Sequence, residues 1–167
     1  MCEEVVVIDD SPVSRLVVEI ALRRQGVSCR CFANGTEALR ALEEDPQLIP
    51  RVIVMELSLK APGIGGHALV RLLRVCPRLD ETAIVILTSR AGVSSRLRAR
   101  LAGADEYLVK PFVRKTFLSV VLPYVPRPKE QPEQKQSAPV QSAPVGEERH
   151  APSDMYPGAA RREQYAS

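Results

Sequence analysis

Val5-Val6-Val7-Ile8 is an unbroken apolar run, the pattern of a short strand buried on both faces of a parallel sheet. Asp10-Ser11-Pro12 follows and predicts a helix start, with Ser11 able to cap and Pro12 in the first turn, where a missing N–H is no loss. Val13, Leu16, Val17, Ile20 and Ala21 then recur at helical spacing and predict one apolar, core-facing side for that helix, which Gly26 can end. The same alternation continues along the chain. Further strands are expected over residues 27–32, 52–55, 84–87 and 107–109, and further helices over 36–44, 66–75, 94–102 and 114–122. Five strand–helix units imply a doubly wound α/β fold, a five-stranded parallel sheet with helices on both sides.

The alternation stops near residues 123–128, and Pro, Gln, Ser, Ala and Glu take over. Residues 136–140 (QSAPV) are repeated at 141–145, and aromatic residues are sparse, so this stretch has little apolar surface with which to offset the entropy of ordering. The expected organisation is a folded unit over residues 1–126 and a disordered Pro/Gln/Ser-rich tail over 127–167.

Lys and Arg number 23 against 20 Asp and Glu, a net charge of +3. That is too mild to predict nucleic-acid binding from field strength. Cys2, Cys29, Cys31 and Cys76 lack the paired two-residue spacing of a zinc site and read as reduced thiols. Cys29 and Cys31 lie two apart in a predicted strand and so share a face. No apolar run approaches the ~20 residues that cross a bilayer, and a cytoplasmic location without membrane attachment is expected. There is no G-x-x-x-x-G-K and no G-x-G-x-x-G, so a phosphate-binding glycine loop is not predicted.

Polar residues gather where the strands end. Asp9 and Asp10 follow the first, Glu56 the third, Thr88 and Ser89 the fourth, and Lys110-Pro111 the fifth. In open α/β sheets ligands bind outside the carboxyl ends of the strands, so these residues define one candidate crevice.

In this order and spacing, Val7-Ile8-Asp9-Asp10-Ser11, Asn34-Gly35-Thr36-Glu37-Ala38-Leu39, Ile86-Leu87-Thr88-Ser89 and residues 103–112 (GADEYLVKPF) resemble the receiver domain of bacterial two-component response regulators. The resemblance covers about residues 4–125 and implies the flavodoxin-like strand order 2-1-3-4-5. It also implies a non-enzymatic, stand-alone signalling module to which Mg²⁺ binds weakly through Asp9, Asp10, the residue-56 carboxylate and the Ser58 carbonyl. Lys110 would pair with a phosphoryl group, while Thr88 and Tyr107 would form the switch. A signalling partner would dock on the fourth helix, fifth strand and fifth helix, at Arg96, Arg100 and Tyr107.

Two departures stand out. Glu56 occupies the place of the family's phosphoacceptor aspartate, with a carboxylate about 1.5 Å farther from the backbone. Pro62 comes six residues after position 56, where the family places a proline at four. Glu56 is therefore expected to imitate part of the phosphorylated state in a receiver that works by protein contacts without normal phosphorylation. Slow phosphorylation, modification of another acid, a passive docking scaffold, and a merely structural Glu56–Lys110 ion pair are the alternatives.

Overall fold

The computed structural model describes residues 4–60 and 63–125; the expected tail and Pro62 lie outside them. Strands β1 (Val5–Ile8), β2 (Cys29–Phe32), β3 (Val52–Met55), β4 (Ala83–Thr88) and β5 (Glu106–Val109) alternate with helices α1 (Pro12–Arg23), α2 (Gly35–Glu44), α3 (Gly66–Arg74), α4 (Val93–Ala102) and α5 (Arg114–Val121). The sheet is parallel throughout, in the order β2-β1-β3-β4-β5. Short 3₁₀ turns at Pro77–Leu79 and Leu122–Tyr124 were not anticipated from the periodicity.

Strand alternation divides the core in two. Val6, Ile8, Ile53, Met55, Ile84 and Ile86 face α2, α3 and α4, whereas Val5, Val7, Val52, Val54, Val85 and Leu87 face α1 and α5. The three inner strands are buried along their whole length, and β2 is only partly buried, as an edge strand should be. Element boundaries differ from the expected ones by one or two residues at several strand and helix ends. The Asn34 side chain, for example, accepts from the Glu37 N–H at 2.9 Å and starts α2 at Gly35.

The expected apolar face of α1 requires correction. Val18, Ala21 and Leu22 meet the sheet, whereas Val13, Leu16, Val17 and Ile20 are 43–69% exposed. The apolar arc of α1 is wider than the stripe that can touch the sheet, because Phe117, Leu118 and Val121 of α5 fill the same face. Periodicity locates an apolar arc without saying which edge of it is covered. Cys29 and Cys31 are half-buried on one face of β2, and a hydrogen bond between their thiols pulls Cys31 below, and pushes Cys29 above, the ordinary thiol range.

Gly66 sets how closely α3 approaches the end of β3. A Cβ there would lie 2.6 Å from both the Cα and the carbonyl oxygen of Leu57, which are backbone atoms with nowhere to turn. Gly66→Ala is therefore expected to cost about 1–3 kcal/mol in urea unfolding, the usual range for forced overpacking. At Gly35 the added methyl would meet only the tip of the Leu69 side chain. Gly35→Ala should cost clearly less, and equal losses for the two variants would show that the Leu57 backbone yields.

Candidate functional site

The carboxyl ends of β1, β3, β4 and β5 bring Asp9, Glu56, Thr88 and Lys110 into one buried cluster. Ladder bonds continue past the strands and hold these positions: the Glu56 N–H donates to the Ile8 carbonyl at 2.9 Å, and the Lys110 N–H donates to the Thr88 carbonyl at 2.8 Å. Asp9, Glu56 and Thr88 are all buried. A buried carboxylate is tolerable only with partners, and each has them.

Lys110 Nζ lies 2.5 Å from Asp9 Oδ2 and 3.2 Å from Glu56 Oε2, bridging the two acids. Glu56 Oε1 accepts from the Thr88 hydroxyl and from the Ser58 N–H, the latter at 2.8 Å. Asp9 Oδ1 accepts from the Ser11 N–H at 2.9 Å, which ties the acid to the first turn of α1. At the rim, Asp10 Oδ2 accepts from the Lys60 N–H at 3.0 Å. The Lys60 backbone is thus tied to the rim of the crevice.

Tyr107 and Thr88 are linked through Arg90. The Arg90 N–H donates to Thr88 Oγ1 at 3.3 Å, and the Arg90 carbonyl accepts from the Tyr107 hydroxyl at 2.7 Å. The Tyr107 ring packs in the core with Ile84, Ile86, Ala99 and Ala102, and the Arg96 guanidinium stacks 5.5 Å from its centroid. Arg90 Nε also donates to Ser58 Oγ at 2.7 Å. Sequence reasoning placed Arg90 only among the arginines near α4; its contacts with the loop after β3 depend on the fold of both loops and carry no local sequence signal.

Lys110-Pro111 is a cis peptide. Asp105, within the GADEYLVKPF stretch, belongs to the scaffold rather than the crevice. It accepts from the Ile84 N–H at 2.7 Å and pairs with Arg74, which also bonds the Gly103 and Thr82 carbonyls at 2.7 and 2.8 Å.

The donor set of Asp9, Asp10, Glu56 and the Ser58 carbonyl has the hard oxygen chemistry that suits Mg²⁺. Lys110 already compensates two of the three carboxylates, and among the described residues no three carboxylate, imidazole or thiol groups converge on one point. A cation there meets partly neutralised ligands. No described helix is long and apolar enough to cross a membrane.

The profile described as "Response regulator receiver domain" matches residues 5–122. Protein PilG of Pseudomonas aeruginosa is 27% identical over 123 residues, which cover 74% of this chain and 87% of PilG. The phosphate regulon transcriptional regulatory protein PhoB of Rhizobium meliloti is 31% identical over 112 residues, 67% of this chain, and the match spans only 47% of PhoB. Among solved structures, the receiver domain of a sensor histidine kinase from Pseudomonas aeruginosa, with magnesium coordinated in its active-site cleft, superposes with a TM-score of 0.64 at 27% identity, covering 74% of this chain and 98% of that domain.

Proposed function

Because the chain belongs to the response regulator receiver family, we propose that it is an atypical receiver in which Glu56 performs the task of a phosphorylated aspartate. The observation that carries this reading is the bond from the Thr88 hydroxyl to Glu56 Oε1, together with Lys110 Nζ 3.2 Å from Glu56 Oε2. The hydroxyl and the ammonium that would stabilise phosphoryl oxygens are engaged by the side chain itself. Thr88 is thereby held against residue 56, and Tyr107 is buried with its hydroxyl on the Arg90 carbonyl.

Mg²⁺ would be held by Asp9, Asp10, Glu56 and the Ser58 carbonyl. When bound, it would supply positive charge that offsets these carboxylates. In its absence Lys110 supplies that charge to Asp9 and Glu56, so the arrangement does not depend on the cation. A carboxylate carries less charge than a phosphoryl group, which adds −1.5 to −2; the imitation is partial, and the switch stays open to bias from a partner.

The output is a protein–protein contact on α4, β5 and α5. Arg96 and Arg100 flank this surface, and Val93, Leu97 and Leu101 form an exposed apolar line on α4. Among the described residues α4 carries no acid, so an apolar segment with acidic neighbours is the complementary partner. Thr88 reaches this face through Arg90 and Tyr107.

Amide chemical shifts test that link. In Glu56→Gln and Thr88→Ala, shifts are expected at Arg90, Tyr107 and onward at Arg96, Leu97 and Arg100. Shifts that stop at residues touching position 56 would reduce the crevice to a structural ion pair with no route to the surface.

A further inference from the structure

Val13, Leu16, Val17 and Ile20 leave α1 with an exposed apolar crest, the four side chains being 69%, 54%, 48% and 43% accessible. At helical periodicity they fall within an arc of about 100°, on the side of the helix opposite Val18 and Leu22, which meet the sheet. The main packing partners of α1, namely β1, β2 and α5, do not cover this crest. Apolar residues recurring in steps of three and four make the seam along which one helix packs on another.

The charges around the crest select its occupant. Arg23 pairs with Glu19 at 2.6 Å, and the Arg15 guanidinium donates to the Asp9 carbonyl at 2.5 Å, so both cations are committed within their own chain. A like copy therefore meets little repulsion along the helix. On α4, by contrast, Arg96, Arg98 and Arg100 would face their own images with no acid on the helix to offset them. The charges left over on α1 stand at its two ends. Asp10, just before the helix, accepts the Lys60 N–H at 3.0 Å, and neither it nor the exposed Arg24, just after the helix and in line with the crest, forms an ion pair among the described residues. An apolar stripe with an acid at one end and a base at the other is complementary to the same stripe reversed.

We infer that this crest is a self-association surface: two copies of the chain pack α1 against α1, antiparallel, about a two-fold axis that passes between Leu16 and Val17. That register sets Val13 against Ile20 and Leu16 against Val17, each contact occurring twice. Glu19 falls opposite Ser14, away from any acid. Arg23 and Arg24 of each copy come to Asp10 of the other, and the positive end of each helix lies beside the negative end of its neighbour. Four apolar side chains per copy fall well short of the ~800 Å² per partner of a standard stable interface. The dimer is accordingly weak, with a Kd on the order of 0.1–1 mM. This association does not rest on the role given to Glu56.

Sedimentation equilibrium of the full-length chain at concentrations spanning that Kd tests the inference, with backbone amide shifts followed over the same range. A monomer–dimer equilibrium is expected, with concentration-dependent shifts at residues 13–24 and none at 93–101. Leu16→Glu sets a carboxylate near its own image at the axis and should weaken the dimer at least about tenfold. Leu97→Glu, on α4, should change it less than about twofold. These leucines are 54% and 56% exposed, so folding is not at risk in either variant. Arg24→Glu and Asp10→Lys each bring like charges together at the ends and should each weaken self-association about fivefold, the scale of two exposed pairs. An equimolar mixture of the two variants restores opposite charges at both ends and should associate more tightly than either variant alone. A chain that stays monomeric throughout would overturn the inference and leave the crest to a different protein. Association that survives Leu16→Glu and is lost in Leu97→Glu would overturn it by moving the interface to α4, and a mixture no tighter than its components would refute the antiparallel register.

Discussion

Replacing Lys110 by methionine is expected to lower the unfolding free energy by about 3–5 kcal/mol, the cost of leaving buried charge without its partner. The wild-type ammonium sits 2.5 Å from Asp9 and 3.2 Å from Glu56, and the three side chains are 16%, 5% and 6% exposed. Solvent screening is correspondingly slight. Methionine keeps most of the aliphatic stem, so the loss reports the charge rather than the packing. Urea unfolding at neutral pH measures it, and a double variant, Lys110→Met with Glu56→Gln, should recover part of the loss because one of the two opposed carboxylates is gone. A loss under about 1 kcal/mol, the level of an exposed pair, would mean that water reaches the bridge.

The second large effect concerns phosphorylation. Wild-type protein incubated with a small-molecule phosphodonor and Mg²⁺ is expected to remain unmodified at Glu56, while Glu56→Asp is expected to gain a phosphoryl group at least about 100-fold faster, the penalty that roughly 1 Å of misplacement imposes on a positioned reaction. Glu56 is hindered in two ways. Its carboxylate extends farther from β3, and both its oxygens are committed, Oε1 to Ser58 and Thr88, Oε2 to Lys110. Shortening the side chain withdraws it from those contacts and frees Thr88 and Lys110 to meet an incoming group. Intact mass followed by peptide mapping decides it. A stoichiometric gain of one phosphoryl group mapped to wild-type Glu56 would show that the longer side chain still attacks in line.

The inner strands were legible because a strand buried on both faces is a continuous apolar run, and Val5–Ile8, Val52–Met55 and Ala83–Thr88 contain such runs. The crevice was legible for a related reason. Asp9, Glu56 and Lys110 each follow a strand directly and Thr88 ends one, so naming the strands named the cluster. Helix orientation was harder to read. Val13, Leu16, Val17 and Ile20 form a regular apolar stripe, yet they face outward, because competition between α1 and α5 for one face of the sheet is a tertiary fact. The partners of Glu56 were anticipated in kind and not in detail. That Lys110 would bridge two acids, that the Ser58 N–H would complete the carboxylate, and that Arg90 would connect Ser58 to Tyr107 all follow from loop conformations.

The exposed lines on α1 and α4 differ in their surroundings. Glu19 and Arg23 pair on α1, so its charged fringe is locally compensated, whereas α4 presents Arg96, Arg98 and Arg100 beside Val93, Leu97 and Leu101 without an acid on the helix. Charge complementarity therefore selects partners at α4 more strongly than at α1.

The central claim is that Glu56, without phosphorylation, holds Thr88 and the buried Tyr107 in one arm of a two-state equilibrium. A side chain biases such an equilibrium only through its different interaction with the two states, and Glu56→Gln removes the charge while keeping the size. The most direct measurement is the NMR signature of a ring-labelled Tyr107 in the wild-type chain and in Glu56→Gln, both without phosphodonor. The account predicts a wild-type ring held in the core with its hydroxyl protected from exchange, and a variant in which ring and hydroxyl shift toward a solvent-exposed population. Identical Tyr107 signals in the two proteins would contradict it and leave Glu56 as one member of a structural ion-pair network.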